Sequence, residues 1–351
     1  MKIEDNVKKQ VTSGKLPGIS VGFIDKNGTR FFNYGEIEKN SGIAPTEDTV
    51  FEIASISKTF TSILLAVLQK EGLLNKDDPI TKFVPEFSHN PKFEKITLYH
   101  LATHTSGFPN LPTKIIAANL FGLLHLSKQT YGSLSNFTKE DLIRYFSKAK
   151  LQSIPGKKWS YSNGAVGLLG QIFERITNSS YEELVKNRIC NVFDMKDTGI
   201  DLFKTHNDRM ATGHHYFGSK TPNWIAPAIE GAASLRSTAK DMAKFLSANL
   251  GLSKTSLSPE LEYCQSTRFL PNLSYFMSHV VFPWIGIKFD EMALGWWVTK
   301  LENKEILFHD GGTAGFSSFI GISPKDKTGV VILANKMSRL VHKLGIELLK
   351  N

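Results

Sequence analysis

The chain has 351 residues, 41% of them hydrophobic, with 42 basic and 33 acidic side chains and a formal charge of +9. This allows a large core in one enzyme-sized unit, and no apolar run reaches the roughly 18 residues of a membrane span. The basic residues are scattered, Lys157-Lys158 being the only adjacent pair mid-chain, so the charge reads as surface charge and not as a nucleic-acid site.

Met1 to Asn6 lacks the apolar core of a signal peptide. The expected compartment is cytoplasmic as the sequence stands, or periplasmic if a leader has been removed. Residues 19–24 and 29–34 are rich in β-formers and joined by Asp25-Lys26-Asn27-Gly28, a hairpin signal. Thr46 to Ile53 leads into a buried helix over 59–71, closed by Gly72. Ser55 and Lys58 sit at its start, three residues apart and so on nearly the same face. A serine attacks only when a base takes its proton. A lysine serves only if its pKa, near 10.4 in water, is pulled down; about three units corresponds to roughly 4 kcal/mol.

A short helix over 96–102 ends at His104-Thr105-Ser106-Gly107. Residues 113–127 are apolar almost all round and read as a core helix, with a flap over a hydrophobic cleft as the alternative. A helix is predicted over 137–148, capped by Thr138 and Asp141. A loop carrying Trp159-Ser160-Tyr161-Ser162-Asn163 precedes helices over 164–176 and 181–192. His206, His214 and His215 fit no usual zinc spacing, so no metal and no cofactor is expected. Ser237 to Asp241 caps a helix reaching about 250, and 265–290 is aromatic and irregular, a candidate second wall of the cleft. Strands follow at 294–299, 306–308, 316–322 and 330–334, then a helix from near 338. Cys190 and Cys264 suffice for one disulfide. Strands at both ends with helices between predict a single α+β unit over 1–351. Residues 1–75 and 231–351 form its sheet lobe, and 76–230 a mainly helical lobe inserted in it.

Three stretches fall in a recognised order: Ser55-Ile56-Ser57-Lys58, Tyr161-Ser162-Asn163 and His309-Asp310-Gly311. They resemble the S-x-x-K, Y-x-N and K/H-x-G boxes of penicillin-recognising serine hydrolases. The similarity is to the class C β-lactamase branch, which includes DD-peptidases and esterases. It covers nearly the whole chain and extends to Phe51-Glu52-Ile53, His104 to Gly107, Ser234 to Met242 and Gly315 to Phe319. Lys327-Thr328-Gly329 also spells a K-T-G box, but it falls in a predicted turn, and His309 to Phe316 matches the family stretch position for position.

The resemblance implies an α/β sandwich, an antiparallel sheet flanked by helices. It implies Ser55 as nucleophile, with Lys58 and Tyr161 as a coupled base pair in which Lys58 is the cation that stabilises a phenolate. Asn163 would donate to the substrate's acyl amide and to Lys58. The N–H groups of Ser55 and Gly312 would hold the oxyanion, so Gly311-Gly312 should tolerate no bulk. His309 replaces the lysine usual in class C lactamases, and Asp310 beside it is expected to raise the His309 pKa. Substrates would be peptidoglycan-derived D-alanyl-D-alanine peptides, β-lactams or esters, selected by walls over 108–136 and 265–290. A penicillin-binding sensor without turnover is the reading from another class, and intact Lys58, Tyr161 and Asn163 weigh against it.

Overall fold

The computed structural model describes residues 2–117, 134–269, 289–301 and 303–350. Its centre is a seven-stranded antiparallel sheet drawn from both ends of the chain, in the order β2-β1-β9-β8-β7-β6-β5. The strands are β1 (Gly18–Asp25), β2 (Gly28–Gly35), β5 (Glu291–Ala293), β6 (Trp296–Leu301), β7 (Lys304–Gly312), β8 (Ser317–Ser323) and β9 (Thr328–Ala334). A two-stranded ladder, β3 (Val50–Glu52) with β4 (Arg236–Thr238), stands apart from it. β8 is buried along its whole length and β9 nearly so. Continuous apolar runs are what a strand covered on both faces requires.

The longer helices are α1 (Lys2–Thr12), α2 (Ser57–Lys70), α3 (Leu98–Ala102), α4 (Lys139–Ser147), α5 (Asn163–Thr177), α6 (Tyr181–Val185), α7 (Ala239–Asn249), α8 (Ser258–Ser266) and α9 (Leu340–Lys350). α9 covers β8 and β9 on one face, and α7 packs on β1 and β9 from the other. Sequence reading missed α1, whose Ile3, Val7 and Val11 recur every four residues and join the core under α9. It also missed α8, which carries proline in its first turn. The expected 181–192 helix is α6 continued through a wide turn at Lys186–Cys190 to Phe193.

The β1–β2 loop is Lys26-Asn27, because Asp25 pairs directly with Gly28. Lys327-Thr328-Gly329 lies at the β8–β9 turn, where Lys327 donates to Leu250 O, away from Ser55. Cys190 and Cys264 are separate free thiols, both buried, so the disulfide does not form. Of the apolar stretch 113–127, residues 113–117 are helical and 118–127 lie outside the described residues; so does 270–288 of the second wall. No helix among the described residues is long and apolar enough to cross a membrane.

Candidate active site

Glu52 ends β3 beside Arg236 of β4, a fully buried pair 3.3 Å apart. The next residue, Ile53, donates its N–H to Leu235 O and accepts from Ser318 Oγ of β8 at 2.9 Å. Ala54 then takes a left-handed backbone, φ +49°. That conformation costs a residue with a Cβ about 1–2 kcal/mol, and here it turns the chain from strand into helix within one residue. Ser57 Oγ braces the turn by donating to Ala54 O and accepting from Leu235 N–H. Ser55 therefore rides a tight single turn, Ala54–Ile56, and Lys58 the first turn of α2.

Lys58 is 3% exposed. Its Nζ lies 2.8 Å from Asn163 Oδ1, 2.9 Å from Ala232 O and 3.0 Å from Ser55 Oγ. Burial holds its amine well below the usual lysine range. A neutral amine has two N–H bonds and one lone pair. Asn163 Oδ1 and Ala232 O can only accept, so once the amine is deprotonated they take its two N–H bonds and leave the lone pair for Ser55. Asn163 thus accepts from Lys58, where donation was expected. The Ala232 carbonyl was not foreseen, since a main-chain oxygen leaves no mark in a sequence.

Tyr161 Oη donates to Ser55 Oγ at 3.0 Å, and Lys58 Nζ sits 4.8 Å from the centre of the phenol ring. Burial raises the phenol's pKa, helped by the negative Asp310 and opposed by the bond to Ser55. Both directions work against the expected phenolate beside a lysine cation. The same desolvation opposes charge on the amine and on the phenol.

α5 starts two residues after Tyr161, with Ser162 Oγ capping Ala165 N–H and donating to Pro109 O. Asn163 N–H donates to Asn110 Oδ1. His104, also left-handed at φ +59°, is 4% exposed. Its carbonyl accepts from Ser160 N–H, its Nδ1 accepts from Ser162 N–H at 3.2 Å, and its ring centre lies 4.4 Å from that of Tyr161.

β7 brings the third box alongside. Alternation sends Asp310 to the α9 face, where it pairs with His342 Nδ1 at 3.0 Å. His309 is 2% exposed and stacked on Trp297 at 5.0 Å. Its Nδ1 lies 2.7 Å from Asp310 O, and a carbonyl only accepts, so that nitrogen carries the ring's proton. Burial and the facing Lys58 push the His309 pKa down to about 3. The expected rise does not occur, because the Asp310 carboxyl points away and spends its charge on His342.

Gly311 lies against the Ala54 turn, where a Cβ would stand 2.2 Å from both Ile53 O and Ser318 Oγ. At Gly312 a Cβ would meet nothing within 4 Å, so the expected intolerance of bulk holds at Gly311 and fails at Gly312. Thr313 donates to Phe316 O across the β7–β8 pair. The antiparallel alternation therefore turns the Gly312 N–H away from β8, to the side where β6 has already ended. Of the sequence-read site residues, Ser55, Lys58, Tyr161 and Asn163 form one bonded cluster, and His309, Gly311 and Gly312 line the strand beside it.

His206 bonds Asp197 and Thr205, whereas His214 bonds Asn335 O. Among the described residues, no group of three potential metal ligands comes together.

An antiparallel sheet flanked by helices, with Ser55 and Lys58 on a strand-to-helix turn beside β7, defines the β-lactamase and transpeptidase-like class. The chain belongs to the beta-lactamase family, whose sequence profile matches residues 3–347. It is 28% identical over 356 aligned residues to protein flp of Staphylococcus aureus, covering 98% of this chain and 64% of that protein. The octameric penicillin-binding protein homologue of Pyrococcus abyssi superposes with a TM-score of 0.82 at 25% identity, over 99% of this chain and 76% of that one. A β-lactamase/D-alanine carboxypeptidase from Pseudomonas syringae gives 0.81 at 22% identity, over 99% and 98%.

Proposed function

We propose that the protein is a serine acyl-hydrolase that forms an acyl-enzyme on Ser55, acting on D-alanyl-D-alanine-type peptides and on β-lactams. The observation that carries this is Ser55 Oγ, 3.0 Å from both Lys58 Nζ and Tyr161 Oη. The Lys58 lone pair takes the Ser55 proton as Oγ attacks the carbonyl carbon. The N–H groups of Ser55 and Gly312 stabilise the oxyanion, a contribution of about 3–4 kcal/mol per donor in comparable sites. Tyr161 gives its proton to the leaving nitrogen, and the Lys58 ammonium restores the phenol. In deacylation, water loses a proton to the Lys58–Tyr161 pair as it attacks the ester carbon, and the pair returns that proton to Ser55 Oγ as the ester bond breaks. Asn163 uses its remaining N–H bonds to hold the acyl amide.

A carboxylesterase on the same machinery is the second reading, and His309 favours it. A neutral, buried imidazole offers no cation to a substrate carboxylate, which both β-lactams and C-terminal D-alanine carry. The test is intact-protein mass spectrometry with benzylpenicillin, in wild type and Ser55→Ala, beside nitrocefin turnover. A lasting Ser55-dependent adduct with slow turnover marks a peptidase, and fast nitrocefin loss marks a β-lactamase. Neither adduct nor turnover refutes the first reading, and p-nitrophenyl esters then decide the second.

A further inference from the structure

His104 contacts the Tyr161 loop in three ways at once. Its carbonyl takes the N–H before the tyrosine, its Nδ1 takes the N–H after it, and its ring lies against the phenol between them. The left-handed backbone at 104 lets one residue present carbonyl and ring to the same loop. Trp159 closes a further side of the ring at 5.9 Å. The groups facing the imidazole are Lys58 from α2, His309 from β7 and Tyr161 itself, and none is an anion. An accepting Nδ1 and a site without a counter-charge both require the neutral ring.

We propose that His104 is a positioning residue: a neutral imidazole that fixes Tyr161 Oη on Ser55 Oγ and keeps water from the phenol. Its hydrogen bonds go to the loop around Tyr161 and not to Ser55, so it acts through Tyr161. Misplacing a reacting group by about 1 Å can cost on the order of a hundredfold in rate, and the loop from 159 to 163 has this residue as its lateral support.

The kinetic arm of the test rests on the acyl-hydrolase reading. His104→Ala should lower kcat per titrated Ser55 about ten- to a hundredfold, with KM nearly unchanged. His104→Asn should recover most of that loss, because its amide oxygen replaces Nδ1 and asparagine tolerates the left-handed backbone. The second arm needs no substrate: the Tyr161 phenol is titrated by ultraviolet difference against Tyr161→Phe. Both variants should move that titration to lower pH, since both lack the ring that excludes water. Where His104→Ala does not fold, His104→Asn carries this arm. Wild-type kcat in both variants, or a phenol titration that does not move, overturns the proposal. A wild type that never acylates refutes the acyl-hydrolase reading alone, and the phenol titration then decides this one.

Discussion

Adjacent glycines at the end of β7 should respond oppositely to the same added methyl. At Gly311 the new Cβ would stand 2.2 Å from the Ile53 carbonyl, a main-chain atom held by Ser318 Oγ and by the Ile56 N–H, and 3.2 Å from Ala54 Cβ. Relief requires β7 and the Ala54 turn to separate by about 1 Å, an overpacking cost of roughly 1–3 kcal/mol. Ser318 Oγ must also leave Ile53 O, forfeiting a hydrogen bond of about 1 kcal/mol. The same separation moves the Gly312 N–H from Ser55, and losing an oxyanion donor lowers kcat about a hundredfold or more. Gly311→Ala should therefore melt lower and acylate at least a hundredfold more slowly. Gly312→Ala, whose methyl enters open space, should keep both properties within a few-fold. Thermal unfolding with stopped-flow acylation by a fluorescent penicillin reads both. Wild-type stability and rate in Gly311→Ala would refute the reasoning.

Three further outcomes are expected. The Lys58 lone pair is lost on protonation, so kcat/KM should fall as pH drops through the lowered Lys58 pKa; Lys58→Ala should abolish acylation, and an adduct formed at wild-type rate would exclude the amine as base. His309 titrates near 3 when folded and near 6.5 when unfolded, so between those values only the unfolded chain takes up the proton. Stability should therefore rise with pH across that window, by on the order of 5 kcal/mol. His309→Gln should flatten that part of a urea-midpoint-against-pH curve. His342→Ala leaves the Asp310 carboxyl without its partner on α9 and should lower the unfolding free energy by about 1–3 kcal/mol at pH 7. His342→Gln, which can donate to the same oxygens, should restore part of it, as calorimetry would show.

Spacing brings Ser55 and Lys58 within reach of each other, whereas Tyr161, 106 residues on, was legible only through the order of boxes that resembles the penicillin-recognising hydrolases. The hairpin, the buried α2 and the late strands were written in local periodicity. Tertiary structure decided the charges. Packing from several segments lowers the Lys58 amine and raises the partly buried Tyr161 phenol, against the charged pairing that adjacency in a motif suggests. Asp310 follows His309 directly, yet the pleat points it at His342, thirty-two residues on. Gly311 and Gly312 read alike in the sequence, and one faces a carbonyl while the other faces solvent. The Ala232 carbonyl and the His104 ring reach the site from separate segments through a main-chain oxygen and a left-handed turn. Local sequence sets which side chains can be neighbours along one element; desolvation and long-range packing set what those neighbours do.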